Sequence, residues 1–82
     1  MIHGRVQGVY FRDSMRREAQ RLGIAGWVRN RSDGSVEAAV QGKPADVEAI
    51  VRWAHRGPDH AQVERVEIEQ HEGSYTNFEI VG

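Results

Sequence analysis

The chain has 82 residues, a net charge of −1 and no cysteine. This length allows one small hydrophobic core, so we expect a single domain over residues 1–82, and the lack of cysteine excludes disulfides, thiolate-bound zinc and thiol catalysis. The near-zero charge argues against a dedicated nucleic-acid binder, and without an apolar run of roughly 20 residues or a signal segment we expect a cytoplasmic protein that does not bind membranes.

The first half of the chain predicts a strand, a helix and a hairpin. Residues 2–7 have the pattern of a short strand. Apolar residues at intervals of four, four and three then mark one face of a helix that ends at Gly23. These apolar residues are Phe11, Met15, Ala19 and Leu22. Two further strands, residues 27–31 and 36–41, flank Asp33-Gly34, a pair typical of a hairpin turn.

The second half predicts a helix and two strands. Pro44 suits the first turn of a second helix, which Gly57-Pro58 ends. Residues 63–69 form a fourth predicted strand, in which Val63 is out of phase with the later apolar residues and indicates a bulge or a ragged start. Residues 78–80 form a short last strand. This order predicts an α+β, ferredoxin-like split βαβ sandwich, with an antiparallel sheet of four to five strands and two helices packed on one face.

The turn between the first strand and the first helix, residues 7–12, has the composition of an anion-binding site. Gly8 has no Cβ, so the backbone can approach a ligand closely. The backbone N–H groups at the helix start have no intrahelical acceptors and no obvious side-chain cap. Arg12 adds a positively charged guanidinium group that can donate two parallel hydrogen bonds to an anion. In the predicted topology the first two strands point the same way, so we expect Asn30, near the end of the second strand, to face this turn.

Each of these features also has a purely structural explanation. The turn is consistent with an ordinary strand-to-helix connection, and Asp13 would repel an anion unless it points outward. Asn30 could hold a water against a bound anion or support the Asp33-Gly34 hairpin. Residues 1–31 hold seven arginines and two acidic residues, a charge of +5. These arginines could create a positive field around the turn, or they could simply form the solvent-exposed face of a helix. The residues alone leave these alternatives open.

The remaining polar residues form no recognisable metal-binding or catalytic set. The four histidines, at positions 3, 55, 60 and 71, include no i, i+4 pair, so we expect neither a metal site nor a cofactor. No Ser/His/Asp triad can be assigned. Gly42-Lys43 is followed by Pro44, where a Walker A phosphate loop would need Ser or Thr.

Three blocks of the sequence together resemble the acylphosphatase family. They are residues 4–12 (GRVQGVYFR), 22–30 (LGIAGWVRN) and 33–37 (DGSVE), in the family's order and spacing, and the resemblance continues to residues 78–80. It implies a ferredoxin-like enzyme that hydrolyses the carboxyl-phosphate bond of acyl phosphates to a carboxylate and inorganic phosphate, without cofactor or metal. Many members have a longer first strand than the three residues before Gly4 allow, which leaves the length of that strand open.

The resemblance also implies roles for individual residues. Arg12 matches the arginine that binds the substrate phosphate, and Asn30 matches the asparagine that positions the attacking water, so these two are the expected catalytic residues. The phosphate-binding loop is matched by the backbone of Gly8, Val9, Tyr10, Phe11 and Arg12. We expect the partners to be a small-molecule acyl phosphate and inorganic phosphate or a similar anion as product or inhibitor. We expect no nucleic-acid or membrane partner, and a monomer.

Two other functions remain open. One is an acylphosphatase-like module that holds a phosphorylated small molecule without turnover, as part of a larger assembly. Hydrogenase maturation proteins contain such a domain within a longer chain. The other is a single-stranded RNA binder of the same topology, which would show aromatic residues on the central strands, whereas residues 36–41 contain none.

Overall fold

The computed structural model describes every residue of the chain, from Met1 to Gly82. Its seven elements, in chain order, are β1 (Ile2–Arg5), α1 (Phe11–Leu22), β2 (Ala25–Asn30), β3 (Val36–Gln41), α2 (Pro44–Arg56), β4 (Gln62–Val66) and β5 (Phe78–Ile80). This element order is the one predicted from the sequence. Neither helix has the length and hydrophobicity that a membrane span requires.

The five strands form one sheet in the order β4-β1-β3-β2-β5. The first four strands in this order are antiparallel to their neighbours, as the split βαβ pattern predicts. β5 differs, because it lies parallel to β2, from Gly26 opposite Phe78 to Val28 opposite Ile80. The chain crosses the whole sheet between β4 and β5, and since β4 and β2 run in opposite directions, the strand that returns after this crossing runs with β2. The sheet is therefore mixed around an antiparallel four-stranded centre.

Both helices pack on the same face of the sheet and form one core with it. α1 buries Phe11, Met15 and Ala19, and α2 buries Ile50 and Ala54. The fourth apolar residue predicted for α1, Leu22, is partly buried against this core. The two helices meet where the rings of Phe11 and Trp53 lie 5.3 Å apart. Each fully buried large side chain stabilises the fold by about 1.5–3 kcal/mol. The predicted apolar face of α1 and the buried residues of α2 therefore account for where the helices dock.

β1 and β4 pair through a β-bulge, as the phase change in the sequence predicts. The register shifts between His3 and Gly4, so that Glu64 is left without a partner. This extra residue lets both Val63 and Val66 pack against the core. Gly4 is required at this place, since a Cβ on it would lie 2.2 Å from a backbone oxygen of β4.

Three strand boundaries differ by two or more residues from those predicted. β1 ends at Arg5 rather than residue 7, because Gln7 turns its amide towards the hairpin. β2 begins at Ala25, two residues before the predicted start, where it pairs with the end of β3. β4 ends at Val66 rather than residue 69, because its partner β1 begins at Ile2, directly opposite Val66.

Gly26 in β2 provides a test of the close backbone packing in the sheet. A Cβ at this position would lie 1.8 Å from the carbonyl oxygen of Ala39 on β3. We expect Gly26→Ala to lower the free energy of unfolding by about 3 kcal/mol or more, because the two backbones must separate. Gly34→Ala is the matched control: its φ is also positive, at 93°, but nothing lies within 4 Å. That variant should lose only about 1–2 kcal/mol. Equal losses in urea denaturation would contradict this explanation.

Candidate active site

The turn after β1 contains two residues in the left-handed region of backbone conformation. Gly8 has a φ of 74° and Tyr10 a φ of 61°. For a residue with a Cβ this conformation costs about 1–2 kcal/mol, so the surroundings must hold Tyr10 in it. Val6 and Phe11, which flank the turn, are 1% and 2% exposed and anchor both of its ends in the core.

α1 begins at the end of this turn without a side-chain cap. The residue at the cap position is Tyr10, which is 81% exposed. The N–H groups of the first helical turn therefore keep their hydrogen-bonding capacity and their partial positive charge. Arg12 stands in the same turn and takes part in no ion pair. The start of the helix thus combines unpaired donors with a free guanidinium group.

Asn30, the last residue of β2, has a buried side-chain oxygen. Its Oδ1 is shielded from solvent and has no hydrogen-bond partner within the protein. A buried polar atom without a partner costs about 1–3 kcal/mol. β1 and β2 run in the same direction on either side of β3, so their carboxyl ends lie at the same edge of the sheet. Asn30 is therefore brought to the turn that follows β1, as the topology predicts.

One cavity of about 380 Å³ joins these groups. It is lined by Val6, Gly8, Tyr10, Phe11, Arg12, Asp13, Asn30 and Ile80. The structure thus brings together the two residues expected to be catalytic and most of the expected loop. Val9 is the exception, since its side chain packs against the core. Ile80 forms part of the wall and was missed, because an apolar residue in a short last strand carries no functional signal.

Asp13 does not leave a free negative charge in this cavity. Its Oδ1 lies 2.8 Å from Nη2 of Arg16, and its Oδ2 lies 2.8 Å from Nη2 of Arg17. Both carboxylate oxygens are therefore occupied by guanidinium groups. Together with Arg12, the first turns of α1 carry three cations against one carboxylate, so the local charge favours an anion.

Gln7 joins the turn to the end of β2. Its Nε2 donates to the carbonyl oxygen of Arg31 at 2.7 Å and to that of Ser35 at 2.9 Å. Because Arg31 directly follows Asn30, these two bonds fix the start of the turn relative to the Asn30 side chain. Sequence analysis missed this role. The only available signal was topological, since a polar residue just after β1 lies beside the end of β2.

The β2–β3 hairpin is held by Asp33 and does not use the Asn30 side chain. Oδ1 of Asp33 accepts hydrogen bonds from the hydroxyl and the backbone N–H of Ser35, at 2.6 and 2.9 Å. These two bonds, the hydroxyl first, lower the pKa of Asp33 below its usual value. The hairpin is therefore supported without Asn30, which weakens the purely structural explanation for that residue.

The other arginines near the hairpin are occupied on the far side of the sheet. Glu37 on β3 accepts hydrogen bonds from Arg29 at 2.7 Å and from Arg31 at 3.3 Å. The hydrogen bond from Arg29 is the largest cause that lowers the pKa of Glu37. Neither arginine lines the cavity, so Arg12 is the one guanidinium group in its wall.

The side chains that could bind a metal ion do not form a cluster. No group of three or more His, Cys, Asp or Glu side chains is placed to hold a metal ion. His3 pairs with Glu67, and Nδ1 of His55 lies 2.9 Å from the carbonyl oxygen of Val51 in α2. The chemistry of the candidate site therefore depends on backbone N–H groups, one guanidinium group and one amide.

The fold and the cavity together define a small α+β sandwich with a candidate site for a phosphate-like anion. The family model for acylphosphatase matches residues 1–80. The chain is 64% identical to the acylphosphatase of Thiobacillus denitrificans, over 95% of this chain and 88% of that protein. The structure of an acylphosphatase from Coxiella burnetii superposes with a TM-score of 0.92 at 36% identity, covering 98% of this chain and 85% of that one. The chain belongs to the acylphosphatase family, and its function is the hydrolysis of acyl phosphates.

The same fold also occurs within a much larger protein. Full-length HypF, in its phosphate- and nucleotide-bound form, matches with a TM-score of 0.84 and 29% identity. The match covers 99% of this chain but only 11% of HypF. Because the Thiobacillus protein is matched over most of its length, the small acylphosphatases are the better comparison for function.

The role of Gln7 can be tested by removing its amide. In Gln7→Ala the end of β2 is no longer fixed to the turn, so Asn30 loses its position relative to Arg12. We expect kcat for a synthetic acyl phosphate to fall by about 10- to 100-fold, with a smaller change in KM. The matched control is Gln41→Ala, whose amide also bonds two backbone groups at 2.9 Å but lies outside the cavity.

Both glutamine variants should lose about 1 kcal/mol of stability per net hydrogen bond removed. Only Gln7→Ala should lose turnover. If the two variants have equal kcat values, Gln7 does not position the site.

Proposed function

We propose that the turn from Gly8 to Arg12 binds the phosphoryl group of an acyl phosphate and that Asn30 positions the water that attacks it. One observation carries this proposal: the uncapped start of α1, Arg12 and the unpartnered Oδ1 of Asn30 line the same cavity. The backbone N–H groups of residues 8–12 donate to the phosphate oxygens, and the guanidinium group adds a bidentate, charge-assisted contact.

Asn30 acts on the water through its side-chain amide. Its Oδ1 accepts a hydrogen bond from the attacking water, which supplies the partner that this buried atom lacks within the protein. Its NH₂ group donates to an oxygen of the bound phosphoryl group. The water is thereby held in line with the bond that breaks, and catalysis depends on positioning and electrostatics.

The leaving group explains why so few residues suffice. Water attacks phosphorus, the bond from phosphorus to the acyl oxygen breaks, and a carboxylate departs with the electron pair. The conjugate acid of a carboxylate has a pKa of about 4, so it leaves at neutral pH without a general acid. Asp13 is the one carboxylate in the cavity wall, and both of its oxygens already bind arginines. The proton of the water therefore passes to an oxygen of the substrate's own phosphate.

We further propose that the reaction needs neither a metal ion nor a cofactor. A metal in phosphoryl transfer neutralises the charge on the phosphate oxygens. Here Arg12 and the N-terminus of α1 supply positive charge at that place. The cytoplasmic location and the monomeric state expected from the sequence stay predictions.

The Arg12 assignment is tested by charge removal. We expect Arg12→Ala to weaken the binding of inorganic phosphate and to lower kcat/KM by roughly 10²–10³-fold, as loss of a preorganised donor to the transition state does. Arg21→Ala is the matched control, because it removes the same charge from the exposed far end of α1. Phosphate release from an aryl carboxyl phosphate is measured with and without a chelator.

Three results of this experiment would count against the proposal. Activity lost to the chelator would disprove metal independence. Normal turnover in Arg12→Ala would remove the arginine from the mechanism. Phosphate binding without any turnover in the unaltered protein would instead favour a binding module.

Asn30 has a separable effect on the same reaction. Asn30→Ala should lower kcat by about 10²–10³-fold while the affinity for inorganic phosphate changes little, because the amide acts mainly on the water. Stability should not fall, since the removed oxygen is buried without a partner. Asn77→Ala, at the opposite end of β2, is the control for loss of an amide. A variant that unfolds more easily and keeps its kcat would show that Asn30 is structural.

A further inference from the structure

The cavity of the candidate active site is larger than a phosphoryl group and one water require. Its volume is about 380 Å³. A water molecule takes up about 30 Å³ in the liquid, and sites for whole small molecules begin at about 300 Å³. The roles proposed for residues 8–12 and for Asn30 account for the phosphoryl group and the water. They leave the acyl group of the substrate without a contact, although the cavity has room for it.

The two ends of this cavity differ in their exposure to solvent. Oδ1 of Asn30 is shielded from solvent, and Val6 and Phe11 are also buried, so these residues mark the inner end. Tyr10 lines the same cavity and is 81% exposed, so it marks the mouth. A substrate bound here therefore extends from Asn30, deep in the cavity, towards Tyr10 at the surface.

The geometry of phosphoryl transfer gives the direction of the acyl group. The attacking oxygen and the leaving oxygen lie roughly in line, on opposite sides of phosphorus. With the water held by Asn30 at the inner end, the leaving acyl oxygen points towards the mouth. The acyl group then lies beside Tyr10, both in the bound substrate and as the carboxylate departs.

The side chain of Tyr10 has no partner within the protein. Its hydroxyl takes part in no hydrogen bond, and its ring belongs to neither aromatic pair. Tyr10 also has a φ of 61°, in a region where glycine or asparagine fits better than tyrosine. An exposed ring kept in an unfavourable backbone conformation, at the mouth of a cavity, indicates a role in binding rather than in folding.

The charges around the mouth favour a neutral acyl group. Asp13 is in the cavity wall, and Arg16 and Arg17 both bind its carboxylate. Arg12 is the one guanidinium group in the wall, and the phosphoryl group takes it up. No free cation therefore remains in the wall for a second negative charge on the substrate. The ring of Tyr10 offers instead a flat apolar surface, which suits another aromatic ring.

We propose that the side chain of Tyr10 binds the acyl group and makes the enzyme prefer aromatic acyl phosphates to short aliphatic ones. This inference rests on the proposed function, because the position of the acyl group follows from the phosphate site and Asn30. A benzoyl group reaches the ring of Tyr10 and packs against it, whereas an acetyl group offers only a methyl group. Since the contact exists in both the bound substrate and the transition state, it lowers KM and changes kcat little.

The experiment compares benzoyl phosphate with acetyl phosphate in the unaltered protein, in Tyr10→Asn and in Tyr10→Phe. Both substrates leave as carboxylates, so any effect of the loop on phosphate binding or chemistry is shared and cancels in their ratio of kcat/KM. We expect Tyr10→Asn to lower the ratio of benzoyl to acetyl phosphate roughly tenfold, mainly through a higher KM for benzoyl phosphate. Tyr10→Phe is the matched control, because it keeps the ring, and its ratio should stay within about twofold of the unaltered value.

Binding without turnover supplies a second measurement. Benzylphosphonate and methylphosphonate carry the same anionic group and differ in the ring. Benzylphosphonate should inhibit about tenfold more strongly in the unaltered protein and in Tyr10→Phe, and this advantage should disappear in Tyr10→Asn. The Tm of Tyr10→Asn should not fall, because asparagine tolerates the left-handed conformation better than tyrosine.

Three outcomes would overturn the inference. A ratio that stays the same in Tyr10→Asn would place the acyl group away from Tyr10. A lower Tm with equal losses for both substrates would show that the ring supports the loop. Self-association of the unaltered protein that Tyr10→Asn abolishes, with no change in the ratio, would make the ring a contact between two copies.

Failure of the proposed function gives a different result. In that case Arg12→Ala would hydrolyse both substrates at the normal rate, whatever the Tyr10 variants do. If Arg12→Ala loses activity on both substrates while the ratio in Tyr10→Asn is unchanged, the phosphate site stands and only the role of Tyr10 is disproved.

Discussion

The two hydrogen bonds from the side chain of Gln7 are the connection on which the candidate site depends. Arg12 lies in α1, which follows β1, and Asn30 lies at the end of β2. In the sheet, β3 separates β1 from β2. The backbone hydrogen bonds of the sheet fix the distance between Arg12 and Asn30 only indirectly, through β3. Gln7 adds a direct link at the edge itself, by binding the carbonyl oxygens on both sides of the hairpin. Preorganisation of this kind sets how well a bound phosphoryl group and a water can be aligned.

The site also keeps groups that weaken the folded protein. Tyr10 lies in the left-handed region, α1 starts without a side-chain cap, and Oδ1 of Asn30 is buried without a partner. Each costs on the order of 1 kcal/mol or more, and local sequence changes could relieve each of them. All three unfavourable features lie around one cavity. A bound anion would accept hydrogen bonds from the uncapped N–H groups of α1, and its water would donate to Oδ1 of Asn30. Such clustering is expected where function opposes stability.

Much of the fold was predictable because local patterns and burial agree. The intervals of Phe11, Met15 and Ala19 placed α1, and the phase change at Val63 indicated the bulge. The parallel pairing of β5 was not predictable, since it depends on a crossing of the whole sheet that no local pattern encodes. In the site, topology brought Asn30 to the turn after β1, and the comparisons with relatives show the family. The hydrogen bonds of Gln7 and the wall formed by Ile80 depend on side-chain placement, for which the sequence carries no distinct pattern.

β1 joins the candidate active site to a second cavity, of about 440 Å³. Its carboxyl end leads into the turn of the candidate active site, and Met1 and Ile2 at its amino end line the second cavity. With only four residues it is held mainly by β4, and it pairs with β3 at one position. A strand so weakly joined to one neighbour can open at low cost in free energy. An anion that binds more strongly at the turn when β1 is in place stabilises that state. By thermodynamic linkage, any change that holds β1 in place then also strengthens the binding of an anion at the turn.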